Sequence, residues 1–124
     1  MPGFFINIEE EALTNEAFRE VLFTTERTQL VAMSLRPGEE IGREIHADAD
    51  QFIRVESGQG KVILEDRELD FEGGDAVVIP AGTEHNVINT SDEFELKLYT
   101  LYAPPQHAEG TVHLTKAEAL EGKE

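Results

Sequence analysis

Residues 37–58 read PGEEIGREIHADADQFIRVESG, and the rest of the chain can be placed outward from them. If residues 41–46 are extended, Glu44 and His46 project from the same face as Gly42, because side chains alternate along a strand. The polar interruption Ala47-Asp48-Ala49-Asp50 reads as a turn. Gln51, Ile53 and Val55 then form one face of the next strand, and Phe52, Arg54 and Glu56 the other. Further on, His85 follows the turn Pro80-Ala81-Gly82. Two imidazoles, a carboxylate and a carboxamide oxygen converging inside an apolar shell would make a divalent-metal site.

Short apolar runs and turn residues alternate on both sides of this stretch. Upstream, Phe4, Ile6 and Ile8 are expected in an edge strand, and residues 18–24 and 29–35 in a hairpin. Downstream, Ser57-Gly58-Gln59-Gly60 reads as a turn, and strands are expected at 61–64, 68–71, 76–79 and 85–89. The clearest alternation places Phe94, Leu96, Leu98, Thr100 and Tyr102 on one face and Glu95, Lys97 and Tyr99 on the other, before Pro104-Pro105 stops it. Strands so spaced predict an all-β, antiparallel sandwich or barrel. One helix is expected near the end, where Thr115 and Glu118 form a capping-box pattern. The polar tail, residues 106–124, is expected to drape over the barrel or a partner subunit, with its last few residues disordered.

Length and composition narrow the function classes. The 124 residues are expected to form one domain, spanning 1–124, with a core large enough to need no staples. Cysteine is absent, so any metal must be held by nitrogen and oxygen. A net charge of -16, from 26 acidic against 10 basic residues with no basic stripe, argues against nucleic acid and anionic membranes as partners. The acidity reads as a solubility device or, with lysine so scarce, as adaptation to high salt. Without a basic, apolar leader or a long apolar run, the chain is expected to be soluble and cytoplasmic.

Two spacings carry a resemblance. Gly74-x5-Pro80-x-Gly82-x2-His85-x3-Asn89 fits the second cupin motif at every position. The first cupin motif, G-x5-H-x-H-x3,4-E-x6-G, fits Gly38 through Gly58 in every spacing, with Glu44 in place of the first histidine and Gln51 in place of the glutamate. The chain therefore resembles a small single-domain cupin of the type-2 kind, with motifs covering residues 38–89. The resemblance implies a jelly-roll β-barrel, an antiparallel double-stranded β-helix, with one divalent metal ion in its mouth held by Glu44, His46, Gln51 and His85. One carboxylate is retained in the exchange, so a bound ion keeps one net positive charge for polarising an oxygen. Zinc, manganese, iron(II) or nickel suits two nitrogens and two oxygens.

On this resemblance the chain is expected to act on a small molecule by Lewis-acid catalysis of isomerase, lyase or dioxygenase type, with Glu44 as ligand or base. A non-catalytic, small-molecule-binding or structural cupin is the alternative. The ligand inventory is also similar in kind to the zinc centre of phosphomannose isomerases. Against a sugar phosphate stands the need for a cation in the pocket, because Arg43, Arg54 and Lys97 read as facing away from it. A homodimer is expected, since the family commonly pairs barrels and β edges need covering. His107 and His113 read as surface groups of the tail, Tyr102 as core filling, and Asn89 as a turn or supporting residue. Gly38, Gly58, Gly74 and Gly82 are read as backbone requirements.

Overall fold

The computed structural model describes residues 3–121 and folds them into two antiparallel sheets. Chain order gives α1 (Ile8–Thr14), β1 (Arg19–Thr24), β2 (Gln29–Leu35), β3 (Asp50–Ser57), β4 (Gln59–Leu64), β5 (Arg67–Glu72), β6 (Ala76–Ile79), β7 (His85–Asn89), β8 (Leu96–Ala103), β9 (Val112–His113) and α2 (Lys116–Glu121). The larger sheet runs β6-β3-β8-β2-β1-β9 and the smaller β5-β4-β7. Hydrogen bonding does not close them into one cylinder; the jelly roll is completed by packing of the two inner faces.

Alternation decides which side chains meet. The register aligns Gln29, Tyr102, Gln51 and Ile79 in one inward row, and Val31, Thr100, Ile53 and Val77 in the next. A third row joins Arg19 to Met33, Leu98 and Val55. Facing them from the smaller sheet are Val62, Phe71 and Val87. Each such side chain contributes about 1.5–3 kcal/mol on burial, and this attraction holds the sheets face to face. The first row and Arg19 put polar groups into that interior as well.

Three expectations are corrected. Residues 41–46 are not a strand: only Glu40 and Glu44 bridge to β7, opposite Ile88 and His85. The register moves by one residue between those bridges, with Gly42 at φ 109° and its N–H donated to Asn86 Oδ1 at 2.8 Å, so the segment carries a bulge. Glu44 and Gly42 therefore do not belong to one uninterrupted strand face. The expected edge strand at Phe4, Ile6 and Ile8 is also absent, because Ile8 opens α1. Asn7 Oδ1 accepts the Glu10 N–H at 3.0 Å, and Glu9, Glu10 and Glu11 lie at the positive end of the helix dipole. Finally, β8 begins at Leu96, and Phe94 is 66% exposed, because Ser91 Oγ accepts the N–H groups of Glu93 and Phe94 and holds them in a turn.

The tail drapes as expected, and the first part of it crosses the barrel mouth. The buried Gln29 side chain donates to the His107 carbonyl at 2.7 Å and to Thr24 Oγ1 at 3.0 Å, while its Oε1 accepts the N–H groups of Gln106 and His107 at 3.2 and 3.1 Å. The expected terminal helix is α2. Thr115 Oγ1 accepts the Glu118 N–H at 3.1 Å, and Glu118 Oε1 accepts the Leu114 N–H at 2.8 Å. The disorder expected at the last residues concerns positions outside those described. Among the described residues, no helix is long and apolar enough to cross a membrane.

Candidate metal centre

Backbone hydrogen bonds lace together the three segments that carry the site. Glu44 and His85 exchange both of their N–H···O=C bonds at 2.9 Å, and the His46 carbonyl accepts the Gly82 N–H at 2.9 Å. The Asp50 carboxylate accepts the Ala81 N–H at 2.9 Å, which ties the start of β3 to the turn before β7. His85, at the head of β7, is thereby brought beside Glu44 and His46, and Gln51 stands near the head of β3.

Glu44 Oε1 lies 3.3 Å from His46 Nε2 and 3.9 Å from His85 Nε2. One donor atom from each of the three can be found with all separations within 4.8 Å. His46 Nε2, His85 Nε2 and Gln51 Oε1 are buried and make no hydrogen bond among the described residues. The 3.3 Å approach of Glu44 to His46 is close enough to favour the carboxylate form but lacks full hydrogen-bond alignment. Leaving such atoms unpaired costs roughly 1–3 kcal/mol each, which a fold sustains where something else uses them.

The remaining polar atoms of these side chains are engaged in ways that orient the free ones. His85 Nδ1 lies 2.9 Å from the Thr83 carbonyl, an acceptor only, so Nδ1 carries the proton and Nε2 presents its lone pair. Gln51 Nε2 donates to Thr100 Oγ1 at 3.0 Å, which leaves Oε1 as the unpartnered atom of its amide. His46 packs edge-on against Tyr102 at 5.4 Å between centroids and lies 5.4 Å from the His85 ring. The donor set of two imidazole nitrogens, one carboxylate and one amide oxygen fits a divalent ion of the borderline class.

Burial pushes the Glu44 carboxyl up, but His46, with Arg19 and His85 beyond it, outweighs burial and leaves its pKa below the ordinary carboxylate value. Burial, assisted by the Glu44 charge, pushes the Tyr102 phenol up, so it stays a neutral wall at any working pH. A depressed carboxyl stabilises the fold above its unfolded-state pKa and loses that contribution as pH falls through its folded value. In metal-free protein, Glu44→Gln should therefore melt below wild type near neutrality, and the two melting curves should converge as pH falls below the ordinary carboxylate range. Thermal melts across that range check this; a gap independent of pH would contradict it.

Glu44, His46 and His85, three of the four ligands expected from the sequence, come together here, and Gln51 lies buried in the inward row of Tyr102, against which His46 packs. Asn89 is no ligand: its Nδ2 donates to the carbonyls of Leu35, Arg36 and Phe94 at 3.1, 3.1 and 3.0 Å, pinning the loops at the other end of β7. His107 is not merely a surface group, because its ring sits against Tyr102 at 5.3 Å with Nε2 3.4 Å from the phenol oxygen. Tyr102 itself walls the site instead of only filling the core. Sequence reasoning missed Arg19, whose inward row could be read only once β1 was paired with β2. A surface depression beside Gly58, Glu72 and Phe94 lies at the far end of β3 from Gln51 and contains none of these groups.

The sequence signature of the cupin domain matches residues 31–102. The chain belongs to the cupin family. This cupin is 47% identical over 123 residues to an uncharacterized protein, YrkC, of Bacillus subtilis, covering 94% of the present chain and 66% of that protein. It thus spans slightly less than two thirds of that relative. A crystal structure from Bacillus halodurans superposes with a TM-score of 0.93 at 48% identity, covering 98% of this cupin and 96% of that chain. KdgF from Halomonas sp. shares the fold with a TM-score of 0.70 at 24% identity, over 86% of this cupin and 96% of that chain.

Proposed function

We propose that this cupin binds one divalent metal ion through Glu44, His46, Gln51 and His85 and works as a metal-dependent enzyme on a small oxygen-bearing molecule. The observation that carries the proposal is the convergence of the buried His46 and His85 Nε2 atoms beside the Glu44 carboxylate, and the likewise buried and unpartnered Gln51 Oε1 supports it. When bound there, the ion would supply Lewis acidity, with a net positive charge left after Glu44 is counted. The chain's own part is to hold the donors: Thr83 and Thr100 orient His85 and Gln51, and Tyr102 keeps one side of His46 apolar. Glu44 stays ionised, so it can serve as ligand or take up a proton from a bound molecule. Isomerisation, elimination and dioxygenation all use an activated oxygen in this way.

Metal analysis of the purified protein, followed by reconstitution with zinc, manganese, iron(II) or nickel, should give one equivalent of ion per chain. The loaded protein, incubated in deuterated water with small hydroxy acids, keto acids and sugars, should exchange or convert at least one of them in proton NMR. Ligand-dependent thermal stabilisation with no conversion of any compound would make the protein a binder instead of an enzyme. No metal uptake at all would end the proposal.

A further inference from the structure

The face of the larger sheet that looks away from the metal centre carries a pattern of its own. Pairing sets Phe23 of β1 beside Leu30 of β2, Leu30 beside Leu101 of β8, Leu101 beside Phe52 of β3, and Phe52 beside Val78 of the edge strand β6. Each of the five points away from the inward rows, so together they form one apolar row across five strands. Val78 is 65% exposed, and Phe23, Leu30, Phe52 and Leu101 are half-buried. Phe4, 44% exposed, stacks on the Phe23 ring at 4.8 Å between centroids. Helix α1 lies against β2, β3 and β8, and the outward Ala32 and Ser34 of β2 are buried together with its Ala12. It covers a neighbouring part of the face; the row itself keeps contact with solvent.

Charge decides what can sit there. The chain carries 26 acidic residues and a net charge of -16, yet none of the five is charged. In the next outward row Glu20, Ala32, Tyr99, Arg54 and Ala76 pair across the same strands, and the single acid is matched by a single base. A basic partner would be drawn to the acidic surface elsewhere and not to this row. A neutral, apolar face is what another strongly acidic body needs, because two such bodies can touch there without setting carboxylates against each other. The area is also suitable. Five strands roughly 4.8 Å apart and two outward rows roughly 7 Å apart give ground on the order of 300 Å² before Phe4 is added. That is the size of the dry centre of an interface of about 800 Å² per partner.

We propose that this face is where a second copy of the chain docks, sheet against sheet, to make a two-fold homodimer. The row has two strands on either side of Leu101, so an axis running along β8 lays Phe23 over Val78 and Phe52 over Leu30 of the other copy. The metal centre lies on the inner side of the same sheet, so the dimer and the metal reading stand or fall separately.

The test is self-association of the purified full chain, followed by analytical ultracentrifugation. Wild type at roughly 50 μM should sediment as a dimer. Val78→Asp and Phe4→Asp change exposed side chains at opposite ends of the row, so circular dichroism should show both folded. Each should weaken the dimer by at least about tenfold, the scale of a charge set into an apolar contact. Phe94→Asp adds the same charge beside Gly58 and Glu72, off this face, and should leave the dimer as it is. Raising sodium chloride from about 0.1 to 1 M shortens the screening length from about 10 to 3 Å. That should tighten the dimer, because it removes the repulsion between two chains of charge -16. A monomeric wild type leaves the row to a different occupant and overturns the proposal. So does a dimer that loosens in salt, which ion pairs would hold, or one weakened as much by Phe94→Asp. A dimer weakened by Val78→Asp alone would join edge to edge along β6, which overturns it too.

Discussion

His85→Ala should lower affinity for zinc or manganese by more than about 100-fold, beyond the 10- to 100-fold that loss of a supporting partner alone costs. His85 is held by two backbone bonds to Glu44 and by Nδ1 on the Thr83 carbonyl, so its Nε2 is fixed close to the Glu44 carboxylate. The effect should be visible in stability as well. A metal present at 1,000 times its dissociation constant stabilises the fold by about 4 kcal/mol. At roughly 4 °C per kcal/mol, wild type should melt about 15 °C higher with metal than without. In His85→Ala that increment should nearly vanish, while the metal-free form keeps its β-sheet circular dichroism. Calorimetric titration and paired melts with and without a chelator read both quantities. An undiminished increment in the variant would show that the ion, if bound, sits elsewhere.

The second large effect is structural. Gly60→Ala should destabilise the protein by about 3 kcal/mol or more, the upper range for overpacking in a sheet interior. Gly60 was expected in a turn, but it lies inside β4, opposite Asn89 of β7 and Phe71 of β5. A Cβ there would sit 2.3 Å from the Ile88 carbonyl oxygen and 3.1 Å from Leu96 Cδ2. The oxygen is main chain of the strand that carries His85, so relief requires moving the strand. Gly38→Ala is the matched control. Its φ of 80° makes alanine unfavourable by about 1–2 kcal/mol, yet a Cβ would meet nothing within 4 Å. Urea unfolding of the two variants should separate them clearly, and equal losses would show that conformational strain, not the close approach, sets the cost.

Much of this architecture can be read from the sequence because spacing survives changes in residue type. The intervals from Gly38 to Gly58 and from Gly74 to Asn89 locate the site even though Glu44 and Gln51 are altered ligands. Strands β2, β3, β6, β7 and β8 follow from alternation and turn residues, since both are local properties. What stays hidden depends on partners distant in the chain. The bulge at Gly42 exists because Asn86 takes its N–H, 44 residues away. Arg19 looks like any polar strand residue until pairing with Met33 fixes its face. The helix α1 is a different case: Asn7 followed by Glu10 is a local cap, and the alternation of Phe4, Ile6 and Ile8 concealed it.

The glutamine at position 29 adds something about how the tail can vary. Its amide grips residues 106 and 107 entirely through their main chain, taking the role that a neighbouring peptide group would have in a sheet. The route of this segment is thus specified in part on β2, beside the Gln106 amide that donates to the Pro104 and Pro105 carbonyls at 3.3 and 3.0 Å. Descendants of this gene could exchange residue 107, retuning what meets Tyr102 at the entrance, while Gln29 keeps its hold on the main chain there. A change at 29 would release residues 106 and 107 at once.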